Sequence, residues 1–231
     1  MEWFNKWLDT LYNTFIVDDR YVTLIQGFQK TLLITFGALI IGVIIGTIVA
    51  IIKVFAEGSP KLKIFDVICN IYLTVIRGTP VVVQLLISFF IIFVAAKDGT
   101  WVAMITFGIN SGAYVAETIR SGILAIDKGQ MEAGRSLGFS KVQTMWIIIL
   151  PQAFKNILPA IGNEMIALLK ETSVAGYVAV VDLTKAGNQI KNTTYDQINP
   201  ILLVAIVYLA MVMILTKLLS VMERRLRAGE R

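Results

Sequence analysis

At 231 residues, with 56% hydrophobic side chains and a mean hydropathy of +0.73, this chain is too apolar for a soluble domain and reads as a polytopic membrane protein. It carries no histidine and a single cysteine, Cys69, which excludes a zinc site, an internal disulfide and a histidine-dependent triad. The net charge of +5 is dispersed over the polar flanks of apolar segments, a pattern that fits membrane topology and not nucleic acid.

Taken in chain order, the first element is amphipathic. Trp3, Phe4, Trp7, Leu8, Leu11, Tyr12, Phe15 and Ile16 recur at helical spacing, predicting a helix rich in interfacial aromatics over residues 1–21. It is read as external, either anchored on the membrane surface or docking an outside partner. No compact apolar core precedes a small-residue cleavage site in the first 20 residues, so a cleaved leader is not expected.

A first span is expected at 31–52, where Ala38, Gly42, Gly46 and Ala50 recur every four residues and permit close helix packing within one chain or between two. Lys63, Asp66 and Asn70 place residues 62–76 along the interface. Arg77-Gly78-Thr79-Pro80 then interrupts the apolar run, with Thr79 as N-cap and Pro80 opening a second span at 80–96. A third span at 101–120 carries Asn110, Tyr114 and Glu117, continued by Ser121, in one polar stripe at i, i+4, i+7 and i+11.

A polar loop over 127–153 follows. Asp127 is an N-cap with Gln130 at N3, and Ile126 and Met131 stand where a hydrophobic staple sits. The helix Lys128 to Leu137 is too short to cross a bilayer. Gly138 suits the left-handed residue that ends a helix, and Ser140 with Gln143 forms a second capping box. Ala133, Gly134 and Leu137 share a face whose small residues admit another surface. Spans at 157–177 and 200–220 complete a single transmembrane domain, 22–223, ahead of a basic tail at 224–231.

Five spans put the termini on opposite sides, and basic residues decide which. Lys53, Lys61, Lys63, Arg77, Arg120, Lys128, Arg135, Lys141, Lys155, Lys217, Arg224, Arg225, Arg227 and Arg231 flank one side. Lys6, Arg20, Lys97, Lys185 and Lys191 flank the other. The fold expected is an all-α integral membrane protein with its N-terminus outside, and its C-terminus and the 127–153 loop in the cytoplasm.

Glu132-Ala133-Gly134, then Gly138, then Leu150-Pro151-Gln152-Ala153, resemble the EAA loop of ABC importer permeases. The family more often has Ala where Gly134 stands, a change of about 1 kcal/mol in helix propensity that keeps the surface small. Arg77-Gly78-Thr79-Pro80 with Gln84, Ser111-Gly112-Ala113-Tyr114-Val115-Ala116-Glu117, and Leu158-Pro159 with Gly162-Asn163-Glu164 are similar to the polar amino acid uptake group of that family. The resemblance implies a coupling helix, carried by Glu132, Ala133, Gly134, Leu137, Gly138 and Pro151, that fits a groove on an ABC ATPase. It also implies two copies of that ATPase, a second permease copy (identical or homologous), an extracytoplasmic substrate-binding protein, and a prokaryotic inner or plasma membrane. This chain holds no G-x-x-x-x-G-K-[ST] loop, so ATP and Mg would be bound by the partner, and no cofactor is expected here.

For the cargo path the candidates are Glu164, Asn163, Asn110, Tyr114 and Glu117. A carboxylate inside a span costs about 2.5–3.5 kcal/mol to insert and so calls for a role. Glu164 suits the ammonium or guanidinium of an amino acid, or else pairs with a basic group such as Arg77 to fix packing. Glu117 has the same two readings, with Arg120 as its possible mate. The expected function is a non-catalytic permease subunit of an ATP-driven importer of polar amino acids, leaning toward cationic ones. The alternative is an ion-gradient-driven carrier, and an intramembrane enzyme has no nucleophile–base pair to work with.

Overall fold

The computed structural model describes residues 2–56 and 60–227; the last four residues of the expected basic tail, 228–231, lie outside them. The described chain is helical, with no strand among the described residues. Helix α1 is Glu2–Phe15, and a tight turn with Asp18 and Asp19 at positive φ leads into α2, Arg20–Ala56. Then come α3 (Lys63–Gly78), α4 (Val81–Ile87) with a π turn Ser88–Ile92, and α5 (Gly99–Leu124). After them lie α6 (Lys128–Ser136), the one-turn α7 (Lys141–Thr144) with a π turn Met145–Ile149, and α8 (Leu150–Glu171). A 3-10 stretch Thr172–Tyr177 precedes α9 (Leu183–Thr194) and α10 (Asn199–Arg227).

Among the described residues, three stretches are helical, long and apolar enough to cross a membrane: Val17–Ala56, Lys141–Tyr177 and Asn199–Leu226. The expected first span is thus extended at both ends. Pro60–Gly78 and Val81–Ile92 pass only together and are bent by 105° at the break. The expected second span, 80–96, is correspondingly short and ends its helix at Ile92. Thr79 is the C-cap of α3, with its hydroxyl donating to the Val75 carbonyl at 2.8 Å, and α4 begins after Pro80. Helix α5, at 26 residues, has the length to cross at about 1.5 Å per residue, and it carries the polar stripe.

The chain forms two compact units. One comprises Met1–Ala38, Val81–Phe107 and Ala167–Leu215. Its core gathers Leu24, Leu169, Leu183, Ala186, Ile190, Val204 and Met211, with Phe15 and Tyr208 against it. Gly27 is required there, because a Cβ would stand 2.8 Å from the Asp182 carbonyl oxygen. The buried Thr31 hydroxyl accepts the Leu183 N–H at 3.1 Å, so the start of α9 is pinned to α2.

The other unit comprises Leu39–Pro80, Gly108–Ile166 and Thr216–Arg231. Here the four-residue repeat on α2 meets α5 of the same chain. A Cβ on Gly42 would lie 2.9 Å from the Ser111 hydroxyl, and one on Gly46 would lie 2.6 Å from a Val115 methyl. Ala50 continues the seam into a core with Val115, Ile119, Ala153 and Ile157. The polar residues of α3 also have partners: the Lys53 ammonium bonds Asn70 at 2.7 Å and pairs with Asp66 at 3.0 Å, fastening α3 to α2.

Candidate functional site

Two features of the second unit carry chemistry, a capped loop helix and a polar cavity. Helix α6 begins where the Asp127 carboxylate accepts the Gly129 N–H at 2.6 Å. It ends in a Schellman motif: the Phe139 N–H reaches the Gly134 carbonyl, the Gly138 N–H reaches the Arg135 carbonyl, and Gly138 sits at φ +89°. Ser140 and Gln143 exchange the two bonds of a capping box, at 3.2 and 2.8 Å. The loop is therefore rigidly folded at both of its helix starts and at the stop between them.

The face of α6 splits. Gly134 is buried against its own chain, where a Cβ would lie 2.4 Å from a Thr144 methyl and 3.0 Å from Ile148. Glu132 and Ala133 are exposed, and Leu137 is 75% exposed. Smallness at Gly134 thus serves docking of α6 onto α7 and its π turn. Pro151 lacks an N–H and crowds the carbonyl four residues back. The π turn immediately before it, closed by the Leu150 N–H on the Met145 carbonyl, widens the helix where that crowding falls.

The cavity, about 480 Å³, is lined by Arg77 and by the polar residues Tyr114, Glu117, Ser121, Asn156 and Glu164 among others. Three of the five expected path residues meet there. Asn110 is buried in α5 and Asn163 is exposed on α8; neither lines the cavity. Glu164 accepts the Ser111 hydroxyl at 2.9 Å, and no ion pair among the described residues joins it to Arg77. Arg77 instead lies over the Tyr114 ring, 5.5 Å from its centroid. Glu117 pairs with Arg120 at 3.0 Å, as the packing alternative anticipated. The cavity therefore holds an anion, Glu164, free of any cation among the described residues, and a cation held on an aromatic face.

Asn156 was not among the sequence candidates. Its signal was available, since Asn156, Ala160 and Glu164 follow i, i+4, i+8 on one face of α8. Ser111 belongs to the Ser111–Glu117 stretch, but nothing in the sequence pairs it with a residue on another helix.

The model of the binding-protein-dependent transport system inner membrane component family matches residues 42–228. The chain belongs to that family. It is a multi-pass inner-membrane transport component, and this membership sets aside an ion-gradient-driven carrier. The arginine transport system permease protein ArtQ of Bacillus subtilis is 37% identical over 210 residues, 90% of this chain and 94% of ArtQ. The glutamine transport system permease protein GlnP of Escherichia coli is 35% identical over 208 residues, 88% and 93% of the two chains. Among solved structures, an amino acid ABC transporter crystallised with histidines superposes with a TM-score of 0.83 at 40% identity, covering 91% of this chain and 98% of that one. The inward-facing MetNI methionine ABC transporter, at 20% identity and a TM-score of 0.74 over 89% and 97% of the chains, shares the fold.

Proposed function

We propose that this chain is the permease subunit of an ATP-driven importer for polar amino acids, with cationic ones favoured. The observation that carries the reading is Glu164, a carboxylate lining a 480 Å³ cavity whose only hydrogen-bond partner among the described residues is a hydroxyl. Such a group suits an ammonium or guanidinium, and Arg77, of opposite sign, suits a carboxylate. The names of the relatives, which include arginine and glutamine transport proteins, support an amino acid cargo.

In this reading the polypeptide crosses five times, by α2, the bent α3–α4 pair, α5, α8 and α10, with the N-terminus outside. Two copies of an ABC ATPase, binding ATP and Mg, sit in the cytoplasm; a second permease copy and an external binding protein complete the assembly. Glu132, Ala133, Leu137 and Gly138 meet the ATPase, while Gly134 and Pro151 hold the helix that presents them. ATPase closure moves α6 as a rigid body and exchanges an outward-facing cavity for an inward-facing one. The bond-breaking belongs to the partner chain.

The test is Glu164→Gln in the assembled transporter. Losing a charge-assisted contact of about 1.5–3 kcal/mol should lower cargo-stimulated uptake about 10- to 100-fold while the ATPase remains bound. An unchanged cargo response would return Glu164 to helix packing.

A further inference from the structure

Helix α1 does not line the cavity, and among the described residues the first three turns of its apolar face are largely uncovered, while Phe15 packs against the core. Trp3 is 77% exposed, Tyr12 60%, and Phe4, Trp7 and Leu8 also stand open, with Phe4 and Trp7 rings 6.2 Å apart. The opposite face carries Glu2, Lys6, Asp9 and Asn13. At 14 residues the helix is about 21 Å long, too short to cross a hydrocarbon core of about 30 Å.

Its C-terminal end is nevertheless fixed. The buried Thr14 hydroxyl donates to the Asp196 carboxylate at 2.9 Å, and the Arg20 guanidinium donates to the Asn13 carbonyl at 2.7 Å while pairing with Asp18. Asp18 and Asp19 both adopt the left-handed conformation between α1 and α2, so the helical path breaks there instead of running on as one rod. The exposed apolar surface continues beyond that turn onto Tyr21, Val22, Ile25 and Leu33 of α2, a helix apolar enough to cross the bilayer. Exposed apolar residues thus stand on both sides of the turn, on α1 and at the start of a helix long and apolar enough to span. An aromatic-rich stripe at that depth fits the headgroup–acyl boundary.

We propose that α1 is an interfacial helix, lying in the leaflet on the N-terminal side with Trp3, Phe4, Trp7 and Tyr12 sunk among lipids and its tether to Asp196 holding the start of α10. The occupant of the open face is lipid, not protein. This goes beyond the transport reading and stands or falls without it.

The test uses the full chain in vesicles of phosphatidylethanolamine and phosphatidylglycerol, with Trp101→Phe and Trp146→Phe leaving Trp3 and Trp7 as reporters. Lipids brominated near the carbonyl end of the acyl chain should quench their emission at least about twofold more than lipids brominated near the methyl end, because the helix is shallow. Soluble acrylamide should quench weakly. Strong acrylamide quenching with no effect of bromolipid would put the face in water and overturn the proposal. Protection from both quenchers would overturn it in favour of a protein partner. A spin label on Leu8→Cys, read by oxygen against a water-soluble nickel complex, separates the same three outcomes without touching Trp101 or Trp146.

Discussion

At the scale of single residues, the loop glycines separate two demands that a motif alone merges. Gly134 is small for the sake of its own chain, since its missing Cβ makes room for Thr144. Gly134→Ala gains about 1 kcal/mol of helix propensity but forces a methyl into that space, which costs about 1–3 kcal/mol. The variant should be destabilised, and Gly134→Ala with Thr144→Ala should recover most of the loss in a thermal-melt double-mutant cycle. Gly138 is different: nothing lies within 4 Å of where its Cβ would be, and only its φ of +89° resists substitution. Gly138→Ala should therefore cost about 1–2 kcal/mol. Gly138→Trp, with the same backbone penalty, should weaken ATPase binding well beyond that of Gly138→Ala, as read by pull-down. Equal binding by the two would mean that Gly138 faces no partner.

At the scale of elements, capping chemistry was the most legible feature of the sequence. Asp127, Gly138, Ser140 and Gln143 each act within a few residues of themselves, so the chain order alone places their bonds. The α3–α4 bend was less legible, because Thr79 can cap either the helix before it or the one after it. Its hydroxyl bonds back to the Val75 carbonyl four residues earlier, a local bond that competes with capping the helix ahead. The tether of α1 was not legible at all: Thr14 and Asp196 are 182 residues apart and carry no local signal. That tether has a pH signature. Burial pushes the Asp196 carboxyl up, but hydrogen bonds from Asn199, Thr14 and the Ile198 N–H together hold it below the usual carboxylate range. A group held low when folded contributes stability above its unfolded value, near 3.9, and that contribution fades as pH falls through the lower folded value. The α1 tether should loosen below about pH 4. Thr14→Val should flatten that acid dependence in hydrogen exchange of α1 amides, whereas an unchanged profile would show that Asp196 is held by the α10 donors alone.

At the scale of the molecule, an all-α membrane architecture followed from composition and from runs of apolar residues. The small-residue repeat on α2 is resolved by the structure, which seats Gly42 and Gly46 against α5 of the same chain. Cavity membership was half legible. Tyr114 and Glu117 share a stripe on α5, and Glu164 stands out as a charge in a span with Asn156 on the same face of α8, but Arg77 joins them only because separate helices converge. In the proposed assembly, force enters at the exposed part of α6 and reaches the cavity through the helices that line it. The most direct measurement is co-purification of the tagged chain from its membranes, followed by uptake in vesicles with and without ATP. A permease coupled through α6 should bring down a stoichiometric ABC ATPase that Gly138→Trp releases, and uptake should cease when ATP is depleted. Recovery of the chain without an ATPase, with uptake undiminished in ATP-depleted vesicles, would contradict that coupling.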